Sequence, residues 1–126
     1  MKNFLFLAGL SGALAVIAGA FGAHGLQGRL EPRLLASFTT AAQYHLTHAV
    51  AMAVAGLAAW DDRAAPRARV AAMLFLAGTI LFSGSLYALA LSGIRFFAFV
   101  TPVGGVAFIA GWLMLALAAL KLEKPT

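Results

Sequence analysis

Tyr44, His45 and His48 lie within one short run, and Thr79, Ser83 and Tyr87 follow later at i, i+4, i+8 spacing. An imidazole near a hydroxyl is the pairing of base and nucleophile, and histidine is the only residue in these runs that titrates near neutral pH. Hydrolytic chemistry also needs a group to orient the imidazole, usually a carboxylate. The only acids are Glu31, Asp61, Asp62 and Glu123, none of them in the segments holding these residues. Phe82-Ser83-Gly84-Ser85 is not a G-x-S-x-G elbow. His45 and His48, with Met52 four further on, have donor types that suit a soft cation such as Cu(I), but the spacing specifies little. Haem ligation by two histidines would have to pair His24 with His48, since His45 and His48 share a helix face. With zero cysteines, thiolate chemistry and disulfides are excluded. The expectation is therefore a non-enzyme with no catalytic residue, no metal and no cofactor.

The elements that carry these residues are four uncharged apolar stretches, Phe4–Ala23, Ser37–Trp60, Val70–Leu91 and Phe97–Leu120. Each has about the 20 residues a helix needs to cross hydrocarbon, and a helix satisfies its own backbone there. A chain that is 63% hydrophobic and 10% charged, with mean hydropathy +0.94, could not cover that surface as a soluble domain of 126 residues. The reading is all-α: a polytopic four-transmembrane-helix bundle with short loops, one domain over 1–126, with helices near 4–23, 37–60, 70–91 and 97–120. The net charge of +5 is spread over loops and termini. No run is dense enough for nucleic acid or a specific phosphoinositide. Its plainest meaning is orientation.

Met1-Lys2-Asn3 ahead of an apolar run and Ala18-Gly19-Ala20 also resembles a cleavable signal peptide. A retained helix is preferred, because the apolar stretch outruns an h-region and its faces separate at 100° per residue. Ala8, Ser11, Gly12, Ala15, Gly19, Gly22 and Ala23 fall on one side, and Phe6, Leu10, Leu14, Ile17 and Phe21 on the other. The small side suits close helix packing and the bulky side suits lipid, so Ala15 and Gly19 are both expected to resist enlargement. Gly22–Arg29 reads as the turn out of the membrane, Pro32 as the first turn of helix 2, and Thr101-Pro102 with Gly104-Gly105 as a break or kink that either lines a cavity or admits a neighbouring helix.

Counting about 1.5 Å per residue from each midpoint puts His48 near the bilayer centre. His45, Tyr44 and Thr40, Ser83 and Tyr87, and Thr101 and Gly104 fall in the half shared with the first and third loops, where His24 also emerges. A polar layer of His24, Tyr44, His48, Ser83, Tyr87 and Thr101 in one leaflet is the candidate site. It reads equally as a pocket or pathway and as hydrogen-bonded cement between helices, with His48 bonding Ser83 or Tyr87. Ser85 points away from the stripe, and His45 alone reads more simply as structural.

The runs Gly19-Ala20-Phe21-Gly22-Ala23-His24-Gly25-Leu26, Tyr44 with His48-Ala49, Phe82-Ser83-Gly84-Ser85-Leu86-Tyr87, and Thr101-Pro102 with Gly104-Gly105 and Gly111-Trp112 resemble the YgdD-like family. These are small bacterial inner-membrane proteins of unknown function, related to eukaryotic transmembrane protein 256. The resemblance spans nearly the whole chain. It implies four membrane helices with the first retained, an inner-membrane location and no particular activity. It places His24, Tyr44, His48, Ser83 and Tyr87 on motif positions, and not His45. The favoured function is an accessory or lipid- or small-ligand-binding membrane protein. The alternative is a permeation or transport unit for a small solute or proton. Expected partners are the lipid bilayer, a lipid or small-molecule ligand and further copies of the chain as a homo-oligomer, with no nucleic acid.

Basic residues give the orientation. Lys2, Arg63, Arg67, Arg69, Lys121 and Lys124 lie at the termini and second loop, against Arg29, Arg33 and Arg95 in the first and third loops. Six against three places both termini in the cytoplasm. Cysteines introduced at Gln27 and Gly93 should react with an impermeant thiol reagent in intact cells, and one at Asp62 should not. The reverse pattern would invert the topology.

Overall fold

A computed structural model describes residues Lys2–Leu122; of the residues counted above for orientation, Lys124 lies outside them, as does Glu123. The described chain forms four helical rods joined by short turns: α1 Lys2–Gly25, α2 Pro32–Ala58, α3 Ala65–Ser92 and α4 Phe97–Ala119. By length and composition α1, α3 and α4 can each cross a membrane. α2 is long enough at 27 residues, but Thr39, Thr40, Gln43, Tyr44, His45, Thr47 and His48 dilute its apolar character. α2 packs against α1 on one side and α3 on another, while α3 holds α4. The two histidines of α2 are turned inward, whereas Thr39, Gln43, Tyr44 and Thr47 stay exposed.

Packing is the inverse of a soluble core. Of the twenty buried apolar residues among those described, fifteen are alanine. Phe6, Leu10, Leu14 and Ile17 on α1, and Val103, Val106, Ile109 and Leu113 on α4, are exposed. Lipid tails are as apolar as leucine, so there is nothing to gain by hiding large side chains, and small ones let backbones approach. One cluster draws on all four helices, with Ala8, Met52, Ala55, Ala71, Phe75 and Phe108. Ala59, Ala64, Ala68 and Ala118 close one end. Leu26, Phe38 and Ala90 close the other.

The turns are tied by side chains. Asp61 Oδ1 accepts from the backbone N–H of Arg63 at 2.9 Å and of Ala64 at 3.2 Å, opening α3. Arg67 Nη1 donates to the Leu117 carbonyl at 3.1 Å, covering the last turn of α4. Gly93, at φ 71°, ends α3 in the left-handed conformation that glycine adopts without strain.

Three expectations are corrected. The segment after Gly22 does not leave the helix at once, because Phe21–Gly25 continues α1 as a wide turn with Leu26 N–H donating to the Phe21 carbonyl. Pro102 does not break α4, which runs continuously from Phe97 to Ala119. The proline falls in its second turn, and Thr101 Oγ1 donates to the Phe97 carbonyl beside it at 3.2 Å. Gly19 is not a tight contact. A Cβ there would meet nothing within 4 Å, because the Phe38 ring lies against Gly22 further along and a groove opens between the helices.

The close approach is instead at Gly104, where a Cβ would collide with the backbone of Leu81 and Phe82 on α3. Backbone cannot swing aside as a side chain can. Gly104→Ala should therefore lower stability by about 1–3 kcal/mol or more, read as the melting midpoint in detergent. Ala15→Leu, at a site 2% exposed, should behave similarly, and Gly19→Ala should be near neutral. Equal losses at Gly104 and Gly19 would contradict this packing.

Candidate functional site

α2 presents its two histidines to different neighbours. His48 Nδ1 lies 2.8 Å from the Tyr44 carbonyl one turn back, and Trp112 Nε1 on α4 donates to His48 Nε2 at 3.0 Å. A carbonyl can only accept and an indole N–H can only donate, so the ring is neutral with its proton on Nδ1. Its faces are covered as well. Phe108 stacks at 3.5 Å between centroids with 10° between planes, and Phe75 and Trp112 close the edges at 5.8 Å. The imidazole is thus a fully bonded link between α2 and α4. The partner differs from Ser83 or Tyr87 because Trp112 reaches to His48's depth from α4, a helix with few polar groups to mark its inward side.

His45 serves the opposite interface. Its Nδ1 lies 2.9 Å from the Tyr87 hydroxyl on α3, and its Nε2 lies 3.0 Å from the Ser11 hydroxyl on α1. A neutral imidazole offers one donor and one acceptor, so either tautomer completes a chain from hydroxyl to imidazole to hydroxyl across three helices. This chain forms the floor of a crevice of about 470 Å³ between α1 and α3, walled by Leu7, Leu10, Leu14, Leu76 and Ile80. Apart from Ser11, Tyr87 and His45 itself, only Thr79 brings a hydroxyl to its lining, and that hydroxyl bonds the Phe75 carbonyl at 2.8 Å.

The remaining candidates divide among other contacts. Ser83 Oγ donates to the Ala41 carbonyl of α2 at 2.8 Å. Thr101 meets Ser85, which also donates to the Phe82 carbonyl at 2.9 Å. Tyr44 is 44% exposed and rests on Phe82 and His48. His24 is exposed at the end of α1 and makes no side-chain hydrogen bond to another described residue. The six expected residues therefore do not share one hydrogen-bonded network. Tyr87 joins the His45 chain, Tyr44 and His48 share a stack, Ser83 and Thr101 each fasten a different helix pair, and His24 stands apart.

A wide turn at Thr79–Ser83, where Gly84 N–H donates to the Thr79 carbonyl five residues back, explains the division. It holds one more residue than an α turn, so the helix beyond it is rotated by about 100° relative to a regular one. Thr79, Ser83 and Tyr87 cannot then share the single stripe that regular spacing projects. Among the described residues every buried side-chain polar atom has a partner. Met52, the thioether near His45 and His48, is fully buried in the apolar cluster, and both ring nitrogens of His45 and of His48 are engaged.

Sequence reasoning missed Ser11, read as one of the small residues of helix 1, and undervalued His45. The available signal was the depth of Ser11 opposite His45, in a helix otherwise nearly free of polar groups. Trp112 carried a signal too, since an indole N–H within hydrocarbon needs an acceptor.

Comparison with known proteins bears on the whole chain. A family described as "Protein of unknown function (DUF423)" matches residues 18–105. The UPF0382 membrane protein YwdK of Bacillus subtilis is 42% identical over 96% of this chain and 98% of its own. The UPF0382 inner membrane protein YgdD of Escherichia coli is 43% identical over 98% of this chain and 93% of its own. A UPF0382 membrane protein of Haemophilus influenzae is 41% identical over 96% and 97%. No solved structure matches.

The His48–Trp112 bond has a direct test. His48→Leu strands the indole N–H and should cost about 1–3 kcal/mol, whereas His48→Gln retains an acceptor and should cost less. In a double-mutant cycle, His48→Leu with Trp112→Phe should cost less than the two singles summed, by about 1 kcal/mol. Strict additivity of the melting shifts would show that the bond contributes nothing.

Proposed function

The chain belongs to the DUF423 (UPF0382) family of membrane proteins, and from that premise we propose that it is a non-enzymatic multi-pass protein of the inner membrane that binds a lipid or other small amphiphile in the crevice between α1 and α3. One observation carries the reading: the chain of Ser11, His45 and Tyr87 lies at the floor of an apolar cavity of about 470 Å³. Binding sites for small ligands have such volumes and combine apolar walls with a few convergent polar groups. Two hydroxyls and an imidazole are neutral donors and acceptors, suited to a hydroxyl or carbonyl head rather than an ion. The walls suit a hydrocarbon chain. No carboxylate lies at that depth to drive acid–base chemistry or ion coupling. Both termini are assigned to the cytoplasm on the distribution of basic residues.

Photolabelling of reconstituted protein with a diazirine-bearing fatty alcohol tests the crevice. Label should concentrate on Leu10, Leu14, Leu76 and Ile80. Ile80→Trp, which fills the crevice from an exposed position, should reduce labelling several-fold, and Val106→Trp on the outer face of α4 should not. Uniform labelling of all lipid-facing positions would remove the site. Protein-dependent proton flux in the same vesicles, abolished by Tyr87→Phe, would replace binding by the transport alternative.

A further inference from the structure

Arg33 and Arg95 are far apart in sequence and belong to no basic run, yet they line one cavity of about 740 Å³. It lies where α2 begins and where α3 passes through Gly93 into α4, the level at which the chain meets the membrane boundary. Its other walls include Leu34, Leu89 and Phe99. Arg95 is in no salt bridge among the described residues, and Arg33 has only a long contact, 3.8 Å from Nε to Glu31 Oε1, between two exposed side chains. One carboxylate against two guanidiniums leaves the cavity net positive.

We propose that this cavity is a binding site for an anionic phospholipid, with the headgroup phosphate held between Arg33 and Arg95 and an acyl chain leaving along Leu34, Leu89 and Phe99. Guanidinium forks match phosphate oxygens bidentately and are more weakly hydrated than ammonium groups, so they can be partly desolvated at an interface. The apolar walls favour a lipid over a free anion: Phe99 is 79% exposed, facing hydrocarbon rather than packing against the protein. α2 and α4 both begin at the cavity, so their positive ends add to its potential. This site is separate from the crevice beside His45 and shares no lining residue with it.

Native mass spectrometry of the detergent-solubilised full chain, titrated with phosphatidylglycerol or phosphatidylcholine, tests the proposal. Wild type should retain phosphatidylglycerol preferentially. Arg33→Gln and Arg95→Gln should each weaken that retention about fivefold. Arg29→Gln, which removes an arginine from the same end but not from the cavity, should change it little. Glu31→Gln should strengthen it by removing the opposing charge, and Ile80→Trp in the crevice should leave it unchanged. Thermal melting accompanies each variant; should Arg33→Gln fold poorly, Arg95→Gln alone decides. A phosphatidylglycerol preference that survives Arg95→Gln, or falls equally with Arg29→Gln, would overturn the site. Displacement of the lipid by equimolar inorganic phosphate would overturn the lipid assignment.

Discussion

A helix carrying two imidazoles in its middle turns cannot present them to hydrocarbon, where nothing replaces the hydrogen bonds of water. The arrangement of this bundle follows from that constraint. α2 carries the heaviest polar load of the four helices among the described residues, and it packs against α1, α3 and α4. Each neighbour that shields it also supplies a partner: Ser11 from α1, Tyr87 and Ser83 from α3, and Trp112 from α4. The polar contacts therefore act as addresses. Apolar packing in a membrane has little preference for which helix lies where, whereas an indole N–H that must meet a lone imidazole nitrogen does.

The histidines differ in a way that bears on function. His48 is enclosed by Phe75, Phe108 and Trp112, and its bond directions leave one protonation state. His45 stands at the floor of an open crevice between two hydroxyls, each of which can donate or accept, so its bonds can exchange direction without being lost. The first arrangement specifies a structure. The second tolerates a visitor, because a ligand hydroxyl can enter the chain and each group still finds a partner.

Much of the architecture was legible in the residues. Four apolar stretches separated by Asp61-Asp62-Arg63 and Ser92-Gly93-Ile94-Arg95 read as helices, and Pro32 sits in the first turn of α2 as its fixed φ suggests. The small face of α1 was visible at 100° per residue, with Ala8, Ala15 and Gly22 buried as that face requires. The partners of the polar groups were not legible. Helical periodicity assumes a constant turn, and the wide turn at Thr79–Ser83 breaks it at the point where the stripe on α3 was being projected. Nothing in Thr-Ile-Leu-Phe-Ser signals that turn, which packs against α2 and α4. Gly19 misled for a related reason: a small residue permits contact without requiring it, and Phe38 decides where the two helices meet. Arg33 and Arg95 illustrate the same limit, since a linear scan for basic runs cannot register two single arginines that folding brings to one cavity.

The alanine interior carries a consequence for the protein's evolution. In a soluble core of leucine and isoleucine, random mutation mostly removes atoms, leaving cavities into which neighbours can relax. Here Ala41, Ala55, Ala59, Ala64, Ala68, Ala71, Ala72 and Ala118 have no measurable exposure. A single nucleotide change in an alanine codon leads to Val, Thr, Ser, Pro, Gly, Asp or Glu, of which only glycine is smaller. Nearly every accessible substitution at these sites therefore inserts atoms into space already taken by a facing helix, and close contacts between backbones relax poorly. The lipid-facing positions are free to drift among large apolar residues. Such a chain should diverge from the outside inwards, retaining its smallest side chains longest.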